Sequence, residues 1–140
     1  MLKICVIDGQ GGGIGSALIK KFKEEYGENI EVIALGTNAI ATAQMMKAGA
    51  NKGATGPNAI VKTSKIVDVI IGPIGIVMAN AMMGEVTPEM AEAVADSSAK
   101  KILIPLSQEN VEIAGLALEP LPHLIDEIVK ARIKEIINHV

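Results

Sequence analysis

Hydrophobic residues along this chain form short continuous runs that alternate with longer amphipathic stretches. Residues 2–7, 30–35, 67–71 and 102–106 are mostly apolar and rich in β-branched side chains. Such runs are typical of parallel strands buried on both faces of a sheet. Residues 50–57 include Asn51, Gly53, Gly56 and Pro57, so this stretch predicts at most a short edge strand.

The segments between these runs carry helix signals. Residues 14–26 have an apolar stripe at helical spacing, and Gly27 is placed to end that helix. Thr37 or Asn38 can cap a second helix, which runs to Gly49, and Asn58 can cap a brief third one. The remaining signals predict a short apolar helix over 76–83, a helix opened by Thr87 and Pro88, and a last helix opened by Pro120 and Pro122.

Alternating strands and helices predict right-handed βαβ units. We expect one domain over residues 1–140, an α/β Rossmann-like three-layer sandwich with a mostly parallel sheet in the order 3-2-1-4-5. Residues 111–118 form a weaker apolar run with Gly115 inside it, which leaves a sixth strand open.

Two glycine-bearing loops follow the first and fourth predicted strands. Of the nine residues 8–16, five are glycine, and residues 72–75 contain two more. In a doubly wound sheet these loops border the crevice where strand order reverses, and the free amides at the start of the first helix suit a phosphate or carboxylate. The predicted binding residues, including the end of the second strand, are Asp8, Gly9, Gln10, Gly11, Gly12, Gly13, Ile14, Gly15, Gly36, Thr37, Asn38, Gly72, Pro73, Ile74 and Gly75.

Asp8 places a carboxylate at the mouth of the first loop, where it would repel a pyrophosphate. It can accept hydrogen bonds from loop amides or hold a magnesium ion, and the first role is the preferred interpretation. Gly36, Thr37 and Asn38 carry no charge, so nothing there selects NAD over NADP.

The spacing Gly9-x-x-x-Gly13-Ile14-Gly15 resembles the nucleotide-binding turn of short-chain dehydrogenases. This resemblance implies NAD(P) or another nucleotide as ligand. The Tyr-x-x-x-Lys pair of those enzymes is missing, because Ile30 follows Tyr26 at that spacing. The catalytic residues are therefore unknown, and whether the chain is an enzyme stays open.

Over almost its whole length the chain also resembles a family of small, functionally uncharacterised bacterial proteins. That resemblance implies a Rossmann-like fold and carries no activity, substrate or catalytic residue. It rests on residues 7–15 (IDGQGGGIG), 34–38 (ALGTN), 48–51 (AGAN), 53–56 (GATG), 71–75 (IGPIG) and 122–125 (PHLI).

Composition excludes several classes of function. The formal net charge is −3 and aromatic residues make up 1% of the chain, which argues against nucleic-acid binding. The single cysteine, Cys5, is expected to be a small buried hydrophobic residue. No His-x-x-x-His or Glu-x-x-His spacing offers a metal pair. His139 is expected on the surface near the end of the last helix, and His123 is expected at a capping or surface position, with a role in a cleft as the alternative.

The hydropathy pattern bears on localisation and assembly. The longest uncharged stretch, 69–84, is too short and too rich in Gly and Pro to span a bilayer, and no signal peptide is recognisable, so we expect a cytoplasmic protein. Mean hydropathy is +0.38, which predicts a homo-oligomer with an apolar interface. Asn80, inside the predicted apolar helix, would be a buried amide that reaches a ligand or crosses such an interface.

Three functions remain open from the sequence. The first is a binding module for a nucleotide or another phosphate-bearing small molecule. The second is an NAD(P)-dependent oxidoreductase with an unrecognised acid–base group. The third is a structural or partner-binding protein in which the glycine loop only packs a helix against a strand.

Overall fold

The computed structural model describes residues 1–106 and 109–139, which form a five-stranded parallel sheet between two layers of helices. The sheet order is β3-β2-β1-β4-β5, which confirms the predicted Rossmann-like order 3-2-1-4-5. The strands are β1 (Lys3–Asp8), β2 (Glu31–Gly36), β3 (Lys52–Thr55), β4 (Val69–Pro73) and β5 (Lys100–Ile104).

Helices connect the strands, mostly where the sequence predicts them, and one segment near the carboxyl end is irregular. A π-helical segment, Glu127–Arg132, joins the last two helices, and 3₁₀ turns occur at Gly27–Asn29 and Ile74–Val77. The helices are α1 (Gly13–Tyr26), α2 (Ala39–Lys47), α3 (Pro57–Thr63), α4 (Pro88–Asp96), α5 (Leu121–Asp126) and α6 (Ile133–Asn138).

The central strand β1 sends alternate side chains into two separate cores. Ile4 and Val6 pack in a core with α1, α2 and the carboxyl-terminal helices, while Cys5 and Ile7 pack in a second core with α3 and α4. All four are at most 1% exposed, as expected for a strand covered on both faces. Burial also raises the pKa of the Cys5 thiol, so this residue is an unreactive core side chain.

Most of the predicted helix boundaries are confirmed by their capping interactions. The side chain of Asn38 accepts a hydrogen bond from the amide of Ala41, and Thr87 accepts one from the amide of Met90. Gly27 ends α1 with a φ of 54°. The third helix differs, since it begins at Pro57 and Asn58 therefore lies inside it rather than at its cap.

The helix predicted over residues 76–83 is wrong. Only the 3₁₀ turn Ile74–Val77 is helical, and tight turns follow it. Asn80, Met82 and Met83 have left-handed backbones with φ of 67°, 57° and 57°. This backbone directs Ala81 into the second core and leaves Asn80 exposed, so the expectation of a buried amide at Asn80 is also wrong.

The alternative of a sixth strand is not realised at residues 111–118, which contain a turn and lie on the surface. Gly115 has a φ of 78°, and the amide of Leu116 bonds to the carbonyl of Ile113, a local pairing that replaces a strand ladder. Within the described residues, β5 is therefore an edge of the sheet. No helix in that part of the chain combines the length and the apolar character needed to cross a membrane.

Candidate functional site

A glycine loop carries the chain from the carboxyl end of β1 into α1. The amide of Gly12 donates to the carbonyl of Gly9 at 2.9 Å, and Gly12 has a φ of 72°. A Cβ atom on Gly12 would lie 2.9 Å from the carbonyl oxygen of Ala41, so only glycine fits there. By contrast, a Cβ on Gly11 or Gly13 would meet nothing within 4 Å, so the backbone is open to an approaching group at these two positions.

Asp8 holds this loop together from inside. Its carboxylate accepts hydrogen bonds from the amides of Gly9 at 2.8 Å and Gly15 at 2.7 Å, which confirms the preferred interpretation of Asp8 as a bracing residue. Burial raises the pKa of Asp8 above its ordinary value, and the negative charge of Glu85 adds to this rise. Hydrogen bonds from the amides of Gly15, Gly9 and Ile14 act in the opposite direction but do not cancel it. Asp8 therefore uses amides that a bound anion would otherwise use.

The second glycine loop lies against the first, as predicted. A Cβ on Gly72 would lie 2.3 Å from the carbonyl oxygen of Ile7, so β4 needs glycine to approach β1 this closely. Both loops border one cavity of about 500 Å³ at the carboxyl ends of β1 and β4. The residues that line it are Asp8, Gln10, Ile14, Pro73, Gly75, Asn80, Met82, Met83, Leu106 and Glu109.

The sequence matches a family profile described as a domain of unknown function (DUF3842) over residues 3–138. The chain belongs to the DUF3842 family. No match to a curated protein was found. The match covers both glycine loops and all five strands.

In this DUF3842 chain the end of β2 contacts Glu85 and does not border the cavity. Thr37 and Asn38 donate hydrogen bonds to a carboxylate oxygen of Glu85, and neither residue lines the cavity. Gly36 lies beneath them, where a Cβ would be 2.2 Å from the hydroxyl of Thr42. The residues predicted at the end of β2 are therefore close to the first loop but lie under a segment of the chain itself.

Glu85 is a site residue that the sequence did not predict, and the same holds for the cavity-lining residues Met82, Met83, Leu106 and Glu109. Glu85 contacts Gln10 across 75 positions of sequence, a separation that no local pattern reports. One signal was available, since Glu85 is the first charged residue after the 16 uncharged residues 69–84.

The cavity is acidic. Its lining includes the carboxylates of Asp8 and Glu109, and among the described lining residues there is no Lys or Arg. The side-chain amides of Gln10 and Asn80 are both exposed and add neutral donors and acceptors. Such a lining suits a ligand that carries little negative charge inside the cavity or brings a cation with it.

The other candidate residues lie elsewhere. Ile74, predicted with the second loop, lines a different and mainly apolar cavity of about 750 Å³ along β5 and the last helices. His139 lies at the rim of that same cavity, where its Nδ1 atom is 2.7 Å from the carbonyl oxygen of Glu135, and His123 is exposed at the start of α5. Within residues 1–106 and 109–139, no three His, Cys, Asp or Glu side chains are grouped as metal ligands.

Proposed function

We propose that this protein binds a nucleotide or another phosphate-bearing small molecule in the crevice between its two glycine loops. The observation that carries the proposal is the cavity of about 500 Å³ at the carboxyl ends of the adjacent strands β1 and β4. This is where sheets of this topology bind ligands, and the volume lies within the usual range of ligand sites.

Backbone amides provide the polar part of the proposed site. In the described part of the chain, the amides of Gly11 and Gly13 donate to no other group, and both residues are exposed. Gly13 begins α1, so its amide lies at the positive end of the helix dipole, which favours an anion. Gln10 and Ile14, which flank these glycines, line the cavity.

The acidic lining narrows the ligand class. Asp8 and Glu109 would repel a bare polyphosphate, so we expect a ligand with one phosphate group, or one whose phosphates carry Mg²⁺. Dinucleotides such as NAD(P) fall within the proposed class when a cation accompanies them. An oxidoreductase activity would need an acid–base group that the crevice residues do not identify.

The test is a thermal-shift screen followed by titration calorimetry with AMP, ADP, ATP, NAD and NADP, each with and without Mg²⁺. Binding raises the melting temperature because the ligand stabilises the folded state. We expect at least one of these ligands to bind, and Mg²⁺ to tighten binding of the di- and triphosphates. The absence of a shift with every ligand at millimolar concentration would overturn the proposal.

Gly13→Val then localises the site. Its side chain would enter open space, so the fold should survive while the valine blocks access to the amide. Ala43→Val, at an exposed position of α2, introduces the same side chain outside the cavity lining and is the matched control. We expect Gly13→Val alone to abolish binding, and unchanged affinity in that variant would exclude the glycine loop.

A further inference from the structure

Residues 78–86, which we call the strap, lie directly over the first glycine loop. A Cβ on Gly9 would lie 2.6 Å from the sulfur of Met82 and 3.0 Å from an oxygen of Glu85. Ala81 and Val86 anchor the strap in the second core, and both are at most 2% exposed. The strap therefore covers the carboxyl end of β1 on the side that faces β2.

One carboxylate oxygen of Glu85 joins the strap to the first glycine loop and to the end of β2. Its Oε1 atom accepts hydrogen bonds from the amide of Gln10 at 2.8 Å, the hydroxyl of Thr37 at 2.7 Å and the side-chain amide of Asn38 at 2.9 Å. Three donors from two loops thus converge on one point, and a carboxylate of the protein occupies it. Converging donors of this kind form an anion site.

The charge on Glu85 fits these surroundings. Burial opposes its ionisation, but the hydrogen bonds from Thr37, Gln10 and Asn38 outweigh burial and lower the pKa of Glu85 below its ordinary value. The donors therefore hold an anion, and another anion placed there would keep the same three hydrogen bonds.

The strap is also under backbone strain. Asn80, Met82 and Met83 adopt left-handed conformations with φ of 57° to 67°. Residues other than glycine adopt this conformation at a cost, which the surrounding contacts must offset. Besides Glu85, those contacts include the amide of Met82, which donates to Glu109 at 2.7 Å. Release of Glu85 therefore removes one of the contacts that offset the strain.

We propose that the Gln10 amide, the Thr37 hydroxyl and the Asn38 side-chain amide extend the phosphate site formed by the exposed amides of the same glycine loop, and that a phosphate group of the ligand replaces the Glu85 carboxylate when the strap opens. The inference rests on the proposed function and adds this subsite of three donors to the loop amides proposed there. Glu85 then acts as an internal competitor, so the measured dissociation constant exceeds the intrinsic one by the reciprocal of the open fraction.

The opposite role for Glu85 is that it stays in place and accepts a hydrogen bond from a hydroxyl of the ligand. The contacts favour displacement, because Oε1 already accepts three hydrogen bonds and the strap touches Gly9. If Glu85 is displaced by the ligand, removal of its charge should tighten binding. If Glu85 stays and accepts a hydrogen bond from the ligand, removal of its charge should weaken binding, so one variant separates the two roles.

The experiment measures binding of inorganic phosphate and AMP to the wild type and to Glu85→Gln by calorimetry. The neutral amide competes less well for the three donors, so we expect both probes to bind about tenfold tighter to the variant. Glu89→Gln, at an exposed position of α4, makes the same change of charge without contacting the loop and should bind like the wild type. Weaker or unchanged binding in Glu85→Gln would overturn the inference.

Two further measurements complete the test. Hydrogen exchange of residues 78–86 should be faster in Glu85→Gln, and faster in the wild type when phosphate is added. Thr37→Val removes one donor and should weaken phosphate binding even if Glu85→Gln fails to fold. If neither phosphate nor any nucleotide binds the wild type, the proposed function fails together with this subsite. If a nucleotide binds the wild type but Thr37→Val binds it equally well, only the subsite fails.

Discussion

The carboxylate of Asp8, at the end of β1, accepts a hydrogen bond of 2.7 Å from the backbone amide of Gly15 in the first turn of α1. A second bond, from the amide of Gly9, uses the other carboxylate oxygen. Asp8 therefore joins the central strand to the helix that follows it and places a negative charge at the positive end of that helix. On the other side of the same loop, the carboxylate of Glu85 accepts a hydrogen bond from the amide of Gln10. The glycine loop is thus fixed by one internal carboxylate on each side.

Asp8→Asn should destabilise the protein by about 1–3 kcal/mol. An asparagine offers one acceptor oxygen and would present its NH₂ group to the second loop amide, which leaves buried donors facing each other. Urea unfolding measures the change, with Asp96→Asn on the exposed end of α4 as the control, expected within about 0.5 kcal/mol of the wild type. Equal unfolding midpoints for the two variants would contradict the bracing role of Asp8.

The pKa of Asp8 gives a second prediction. The pKa of Asp8 is raised in the folded state from its ordinary value of 3.8. The contribution of this group to the free energy of unfolding is therefore fully present below pH 3.8 and is lost as pH rises through the folded-state pKa. The negative charge of Glu85 contributes to the rise. Glu85→Gln should therefore lower the pKa of Asp8.

Carboxyl carbon NMR follows this titration directly, and Glu89→Gln provides a control with the same change of net charge. The Asp8 signal should titrate at lower pH in Glu85→Gln than in either the wild type or the control. An unchanged or raised Asp8 pKa in Glu85→Gln would show that the two carboxylates are not coupled through the loop.

Gly12 and Gly11 should respond very differently to the same substitution. Gly12→Ala puts a Cβ 2.9 Å from the carbonyl oxygen of Ala41 at a φ of 72°, while Gly11→Ala meets nothing within 4 Å. We expect a loss of about 1–3 kcal/mol for Gly12→Ala from crowding and strain, and about 0.5 kcal/mol or less for Gly11→Ala. Thermal unfolding of the pair tests this, and equal losses would contradict the geometry of the loop.

The three central strands of the sheet, β2, β1 and β4, were predictable because they are nearly continuous apolar runs buried on both faces. The cores on either side of β1 need such runs, and local signals such as Asn38 and Thr87 mark where helices begin. The meeting of the two glycine loops at one cavity followed from the topology alone.

The strap could not be predicted in the same way. Residues 76–83 have the composition of an apolar helix, but the chain instead takes left-handed conformations at Asn80, Met82 and Met83 while Ala81 and Val86 pack in the second core. Glu85 finds its partners 75, 48 and 47 positions away, so its role depends on the finished fold rather than on a local pattern.

Self-association remains a prediction, but the structure moves the expected interface from residues 76–83 to the surface along β5. Residues 76–83, predicted as a short apolar helix, instead continue a 3₁₀ turn into tight turns, and Ile76 is buried in the core. The apolar surface lies along β5, where a cavity of about 750 Å³ is lined by Ile102, Ile113, Leu116 and Ile136 among others. An open sheet edge beside an apolar groove favours pairing with a second chain.

Light scattering at about 50 µM, on the order used to test stable interfaces, should give a mass at least twice the 14.6 kDa of the chain. Leu116→Asp would place a charge in this groove and should reduce the mass toward that of a monomer, because burying an unpaired carboxylate is costly. Leu118→Asp is the matched control, since Leu118 is 79% exposed and does not line the groove. A wild-type monomer at this concentration would contradict self-association. An oligomer that survives Leu116→Asp would place the interface elsewhere, and the exposed edge strand β3 would then be the next surface to test.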